Sequence, residues 1–240
     1  MSYLKAPRTQ LILLCFLISS LLLVAFPKID ILISGMFFDH GFHLAGQSWP
    51  RFVHDSVGGF IVVSMASILG AYAFNRLWKR NVFGIDGKRV LYLFLVLILG
   101  AGLIVNVILK DNFGRVRPRD VEEFGGSRHF TPAFVIASGC KSNCSFSSGD
   151  AAGAFFSLAL SLALTRRRTI TAAAVGFGVV VSFSRIAIGA HFLSDTVVSF
   201  FVMLIVADAL HFYMFQPAHE AIEKIPDTGP GTVVSPLPLP

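Results

Sequence analysis

The sequence predicts an all-α fold, a polytopic membrane bundle of six transmembrane helices. Three observations predict it. Hydrophobic residues make up 54% of the 240 residues and charged residues only 14%, against about 25% charged in a soluble domain. Mean hydropathy is +0.70. The apolar residues also gather into six runs, most of them near the roughly 17–25 residues that a helix needs to cross the hydrocarbon core.

The first run is 11–26, "LILLCFLISSLLLVAF". Lys5 and Arg8 precede it, as they would a secretory leader, but Pro27 and Lys28 follow and no small-x-small cleavage pattern appears. It reads as a retained helix. The others are 57–77, 90–109, 150–164, 170–190 and 192–215. The fourth is short by count. The glycines of "AAAVGFGVVV" in the fifth suit close helix contact. Residues 1–215 thus form one membrane domain. Residues 216–240 end in "PDTGPGTVVSPLPLP" and are predicted to be a disordered cytoplasmic tail.

Charge sets the orientation. Arg76, Lys79, Arg80, Lys88 and Arg89 flank the link after the second run, and Arg166, Arg167 and Arg168 follow the fourth. Both links read as cytoplasmic. Alternation then puts both termini in the cytoplasm and 27–56, 110–149 and the turn at Gly189–Ala190 on the outer face. The formal net charge of +6 does not indicate nucleic acid, because the basic residues cluster between apolar runs rather than over a soluble face. One link breaks the charge rule. Segment 110–149 holds Lys110, Arg115, Arg117, Arg119, Arg128 and Lys141 on the predicted outer side. A connection that long and that basic is a functional one.

Three polar clusters fall on that side. "KDNFGRVRP" places Lys110 and Arg117 seven apart, which on a helix is one face, with Pro118 stopping the helix. "FSSGDAAG" (146–153) puts two serines and a glycine before an apolar run, an N-cap with free backbone N–H groups that suits an anion. "SRIAIGAHFLSD" (184–195) sets His191 and Asp195 four apart, within reach on a helix, with Arg185 on the preceding helix end. Two guanidiniums and an ammonium suit a tetrahedral dianion, and charge stabilisation is the main protein contribution to phosphoryl transfer. A carboxylate-held histidine is a nucleophile or base.

Cys15 lies in the first apolar run and reads as packing. Cys140 and Cys144 share the loop "CKSNC". A disulfide fits an oxidising outer face, free thiols and a metal pair being the alternatives; no further Cys or paired His spacing supports zinc.

The three clusters resemble the signature of the type 2 phosphatidic acid phosphatase superfamily, K-x6-RP, PSGH and SR-x5-H-x3-D. Here they are Lys110-x6-Arg117-Pro118, Ser147-Ser148-Gly149-Asp150 and Ser184-Arg185-x5-His191-x3-Asp195. The resemblance implies a six-helix core of that type and a metal-independent phosphatase without cofactor. It implies that Lys110, Arg117 and Arg185 bind phosphate and that Ser148 and Gly149 donate to it. His191 would attack phosphorus, forming a phosphohistidine, and Asp195 would orient His191. Related proteins include vanadate haloperoxidases, normally soluble, and glucose-6-phosphatases.

The second cluster departs from the pattern. Its proline is Ser147, and its histidine, the residue that protonates the leaving oxygen, is Asp150. An aspartate ordinarily titrates near 3.9 and an imidazole near 6.5, so the exchange removes the residue type suited to carry that proton. Four readings stay open. Asp150 acts as acid beside bound phosphate; it acts as base for the water that opens the phosphohistidine; His129 supplies the proton; or the chain is a non-catalytic lipid-binding or transport homologue. Arg115, Arg119 and Arg128 either balance neighbouring carboxylates or bind further substrate charge. His40, His43 and His54 show no partner pattern and read as solvated.

The implied partner is a membrane lipid phosphate in the bilayer of the bacterial inner membrane, met at the periplasmic face. The resemblance points to the lipid A phosphatase branch, the 4′-position favoured over the 1-position, with undecaprenyl diphosphate or phosphatidylglycerophosphate as alternative substrates. Nothing in the sequence sets the oligomeric state.

Overall fold

The computed structural model describes residues 2–165 and 167–215, and the predicted tail lies outside them. Among the described residues seven helices carry the fold: α1 (Pro7–Ala25), α2 (Lys28–Gly35), α3 (Ser48–Trp78), α4 (Gly87–Lys110), α5 (Gly149–Leu164), α6 (Arg168–Ala187) and α7 (Leu193–Phe215). Five of them are long and apolar enough to cross a membrane, and α5 is an apolar helix of 16 residues. Among the described residues no β-strand forms. The chain is a helical membrane bundle, as its composition predicts.

Its surface has the pattern of a protein solvated by lipid. Leu11, Leu14, Leu17, Leu21 and Leu22 of α1 are exposed, as are Val62, Val63 and Leu69 of α3. A helix satisfies its own backbone hydrogen bonds, so such faces are stable against hydrocarbon. Cys15, expected as packing, is exposed on α1.

The centre is α5, wrapped by α4, α6 and α7. Phe155 and Phe156 of α5 pack with Tyr92, Leu93 and Val96 of α4 and Met203 of α7 in one buried cluster. Gly178 on α6 does what the sequence suggests, since a Cβ there would stand 2.1 Å from the Phe155 ring, whereas Gly176 faces open space. At the end of the bundle away from the 110–149 loop, Arg8 Nε of α1 meets Asp208 Oδ1 of α7 at 2.9 Å.

Two boundaries differ from the sequence reading in ways that matter. Helix α3 starts at Ser48 rather than 57, so residues read as loop become two extra helical turns. Helix α4 does not continue to Pro118. Its last half, Val96–Lys110, winds as a π-helix, and the chain turns off at Gly114, φ +60°, where a Cβ would collide with the Ala137 carbonyl at 1.9 Å. Lys110 and Arg117 therefore do not share a helix face. Arg117 reaches the site from extended backbone.

Candidate active site

The three polar clusters are stitched together by backbone hydrogen bonds. Ala137 N donates to Phe113 O (2.9 Å), Cys140 N to Gly114 O (3.0 Å) and Ser145 N to Arg115 O (2.8 Å), so the 137–145 loop lies along 113–115. Arg119 N donates to Gly189 O (3.1 Å) and Ser148 N to Asp195 O (3.3 Å). Segments far apart in the chain thereby meet at the start of α5, the end of α6 and the start of α7.

Ser148 is the N-cap of α5, its hydroxyl accepting from Ala151 N at 3.3 Å. The free N–H groups and positive dipole end of that helix mark an anion-binding position. Lys110 is there too: a Cβ on Gly149 would lie 3.3 Å from its Nζ and 2.9 Å from Asn106 Oδ1. Glycine is what lets the ammonium approach the helix start. Arg185, buried at the end of α6, places Nε 3.0 Å from Asp150 Oδ2. Arg117 donates from Nη2 to Asn143 O at 2.9 Å. Burial first, then Arg119 and Arg185, push the Arg117 guanidinium below its usual value, the sign of positive charge crowded where an anion would relieve it. The Ser147 hydroxyl is buried and makes no hydrogen bond.

His191 sits between α6 and α7, just before α7 begins, not on a helix with Asp195. Its backbone N donates to Arg185 O at 3.2 Å. Its Nδ1 lies 2.8 Å from Ser145 O and 3.6 Å from Asp195 Oδ2. A carbonyl only accepts, so Nδ1 carries the proton and Nε2 keeps its lone pair. Asp195 thus reaches the ring, as the i, i+4 spacing suggests, but 3.6 Å is longer than a hydrogen bond, and Ser145 supplies the closer ties. Asp195 accepts from Ser145 Oγ (2.5 Å) and Phe192 N (2.8 Å), while the backbone carbonyl of the same serine accepts from the imidazole. Burial, opposed by Asp195, lowers the His191 imidazole from its usual value.

That lowering has a sign that can be measured. The folded state binds the His191 proton less readily than the unfolded chain, whose imidazole titrates near 6.5. Stability from this site is present above pH about 6.5 and is lost as pH falls towards the folded value. The wild type should lose thermal stability over that acid window more steeply than His191→Gln, as melting curves at stepped pH will report.

Behind the imidazole lies a buried network that the sequence did not announce. Arg115, 1% exposed, donates to Asp195 Oδ1 (2.5 Å), Asp30 Oδ2 (2.8 Å), Ser194 Oγ (2.7 Å) and Thr131 O (2.8 Å). Its guanidinium carbon stands 4.4 Å from the centre of the Phe192 ring. Asp30, on α2, also accepts from Ser194 N at 2.9 Å. Arg115 is therefore enclosed and faces these partners, while Arg119 and Arg128 line an open cavity with Arg117.

Cys140 and Cys144 are joined as a disulfide, Cα–Cα 5.7 Å. The bridge closes the loop that offers the Asn143 carbonyl to Arg117 and leads into Ser145. A loop this short gives roughly 2 kcal/mol of stabilisation. Cys144→Ser, or reduction, should lower stability by about that amount and weaken phosphate release, read by unfolding and activity of the purified protein.

The remaining candidates separate. His129 pairs with Glu122 at 2.9 Å on the surface, its side chain 89% exposed. His54, read as solvated, instead contacts Asp150, with Nδ1 3.0 Å from Oδ1. Among the described residues no group of three or more His, Cys, Asp or Glu is arranged to hold a metal ion.

Comparison with known proteins identifies the family. Residues 89–218 match the PAP2 superfamily model. The chain is 34% identical over 178 residues to a lipid A 4′-phosphatase of Francisella tularensis subsp. novicida (strain U112), covering 72% of this chain and 80% of that one. It is 34% identical over 203 residues to one of Rhizobium leguminosarum, covering 78% and 87%. A Rhizobium etli protein of the same name is 32% identical, covering 78% and 79%. No solved structure matches. The chain belongs to the PAP2 superfamily and is a bacterial membrane phosphatase, a phosphoric monoester hydrolase.

Proposed function

We propose that this protein removes the 4′-phosphate of lipid A at the periplasmic face of the bacterial inner membrane, with both chain termini cytoplasmic. The observation that carries the chemistry is the 2.8 Å contact of His191 Nδ1 with the Ser145 carbonyl. The Nδ1 proton is committed to Ser145 O, which leaves Nε2 as a neutral nucleophile beside the start of α5. In this reading Lys110, Arg117 and Arg185 hold the phosphoryl oxygens with the Gly149 N–H and the Ser148 hydroxyl, the Ser148 N–H being taken up by Asp195 O. Nε2 attacks phosphorus, the sugar oxygen leaves, and water then opens the phosphohistidine. Asp195 positions the imidazole through Ser145.

Lipid A as substrate is supported by three things. The relatives named above carry that activity in their names. A cavity of about 690 Å³ adjoins Arg117 and is lined by Arg119, Arg128 and Lys141, which suits a glycolipid bearing more than one anionic group. An apolar groove of about 480 Å³ runs past Ile186, Leu193 and Thr196, neighbours of Arg185 and Asp195, and suits acyl chains. The orientation rests on the basic links between the helices.

Mass spectrometry of lipid A from cells with and without the gene tests the proposal. The expected result is a lipid A species lacking the 4′-phosphate only when the gene is present. Unchanged lipid A, with phosphate released from purified isoprenyl diphosphate or phosphatidylglycerophosphate, would transfer the activity to those substrates.

A further inference from the structure

The aspartate that stands where the second cluster of the family has a histidine is met by a histidine from another helix. His54 Nδ1 is 3.0 Å from Asp150 Oδ1, while Asp150 Oδ2 is 3.0 Å from Arg185 Nε. One carboxylate thus bridges an imidazole and a phosphate-site guanidinium. The pairing is built into the helix packing. Helices α3 and α5 run parallel here, because Val57, one turn beyond His54, packs on Gly153, one turn beyond Asp150. A Cβ on Gly153 would stand 2.8 Å from Val57 Cγ1 and 3.2 Å from Ile61 Cδ1. Glycine at 153 is what brings α3 close enough for His54 to reach Asp150. The His54 side chain is 49% exposed, so its other edge is open to substrate.

We propose that His54 is the proton donor to the leaving sugar oxygen, with Asp150 as its positioning residue. The inference rests on the phosphatase reading above. Asp150 accepts the Nδ1 proton of His54 and directs Nε2–H outwards. As His191 Nε2 bonds to phosphorus, the P–O ester bond breaks and its electron pair goes to the sugar oxygen. That oxygen takes the Nε2 proton from the His54 imidazolium. In the second step neutral His54 takes a proton from water as its oxygen attacks phosphorus. The P–N bond breaks, its electron pair returns to His191, and inorganic phosphate leaves with His54 again protonated. The chemistry removed from position 150 is thereby restored from a helix about a hundred residues earlier in the chain, with the bridging carboxylate keeping the donor beside Arg185.

The test compares wild type, His54→Asn and Asp150→Asn, purified in detergent, on lipid A, with orthovanadate binding read separately as a thermal shift. General acid–base catalysis contributes about 10²–10⁴-fold. His54→Asn is expected to lower kcat by about 10²-fold or more, with vanadate stabilisation within about threefold of wild type, because vanadate has no leaving group to protonate. Asp150→Asn should lower kcat by at least tenfold. Wild-type kcat in His54→Asn would overturn the proposal. So would a loss accompanied by at least tenfold weaker vanadate binding, which would assign His54 to holding the anion cradle. A wild type that releases no phosphate from any lipid phosphate would instead overturn the phosphatase reading on which the proposal rests.

Discussion

Replacing His191 with alanine is expected to abolish phosphate release, by about 10⁴-fold or more. His191 Nδ1 is tied to the Ser145 carbonyl, which leaves an imidazole nitrogen lone pair on Nε2 as the nucleophile. Losing a nucleophile that works as part of a unit removes nearly all of the unit's contribution. The protein should still fold. His191 makes a single side-chain hydrogen bond, and the segments around it are held by the backbone bonds between 113–119, 137–148 and 189–195. Phosphate release from lipid A by equal amounts of folded protein checks this. Residual activity within tenfold of wild type would require a different nucleophile.

The second large effect is on stability. Arg115 holds two carboxylates, Asp30 and Asp195, with all three side chains at most 2% exposed. A buried ion pair contributes little net stability when whole, but removing one partner strands a charge and costs about 3–5 kcal/mol. Arg115→Met strands two carboxylates and should unfold the protein or bring it to the edge of unfolding. Asp30→Asn should cost less and still impair turnover, because Asp30 fixes the Ser194 backbone and hydroxyl at the entry to α7. Equilibrium unfolding of the variants measures both. A loss under about 1 kcal/mol for Arg115→Met would mean that the network is dispensable.

The contrast between these two predictions shows what the sequence could and could not convey. His191, Arg185, Lys110 and Arg117 stand at spacings that local chemistry explains, so their gathering was legible, as was the bundle that carries them. Asp30, His54 and Ser145 were not. Asp30 lies 85 residues from Arg115 and His54 lies 96 from Asp150, and no periodicity links positions that only tertiary packing brings together. One local signal existed for Asp30: a lone carboxylate in "KIDILISG" sits on a short apolar helix, where an unpaired charge would be expensive. For His54 the obstacle was a boundary. The start of α3 is polar enough to resemble a loop, and only its continuation as a helix from Ser48 aims the imidazole at Asp150. The spacing argument itself erred in two places. The i, i+4 relation of His191 and Asp195 and the seven-residue relation of Lys110 and Arg117 both presuppose helices that end too early or begin too late. In each pair the residues still meet the same site, because the loop hydrogen bonds of Gly114 and Ser145 place them there.

The most direct measurement is to trap the covalent intermediate. Purified protein is quenched in alkali within a turnover of lipid A carrying labelled 4′-phosphate, and the peptides are sequenced by mass spectrometry. An alkali-stable, acid-labile phosphate on His191, absent from His191→Ala, is the result this account predicts. Label on any other residue, or rapid phosphate release with none on the protein, would contradict it.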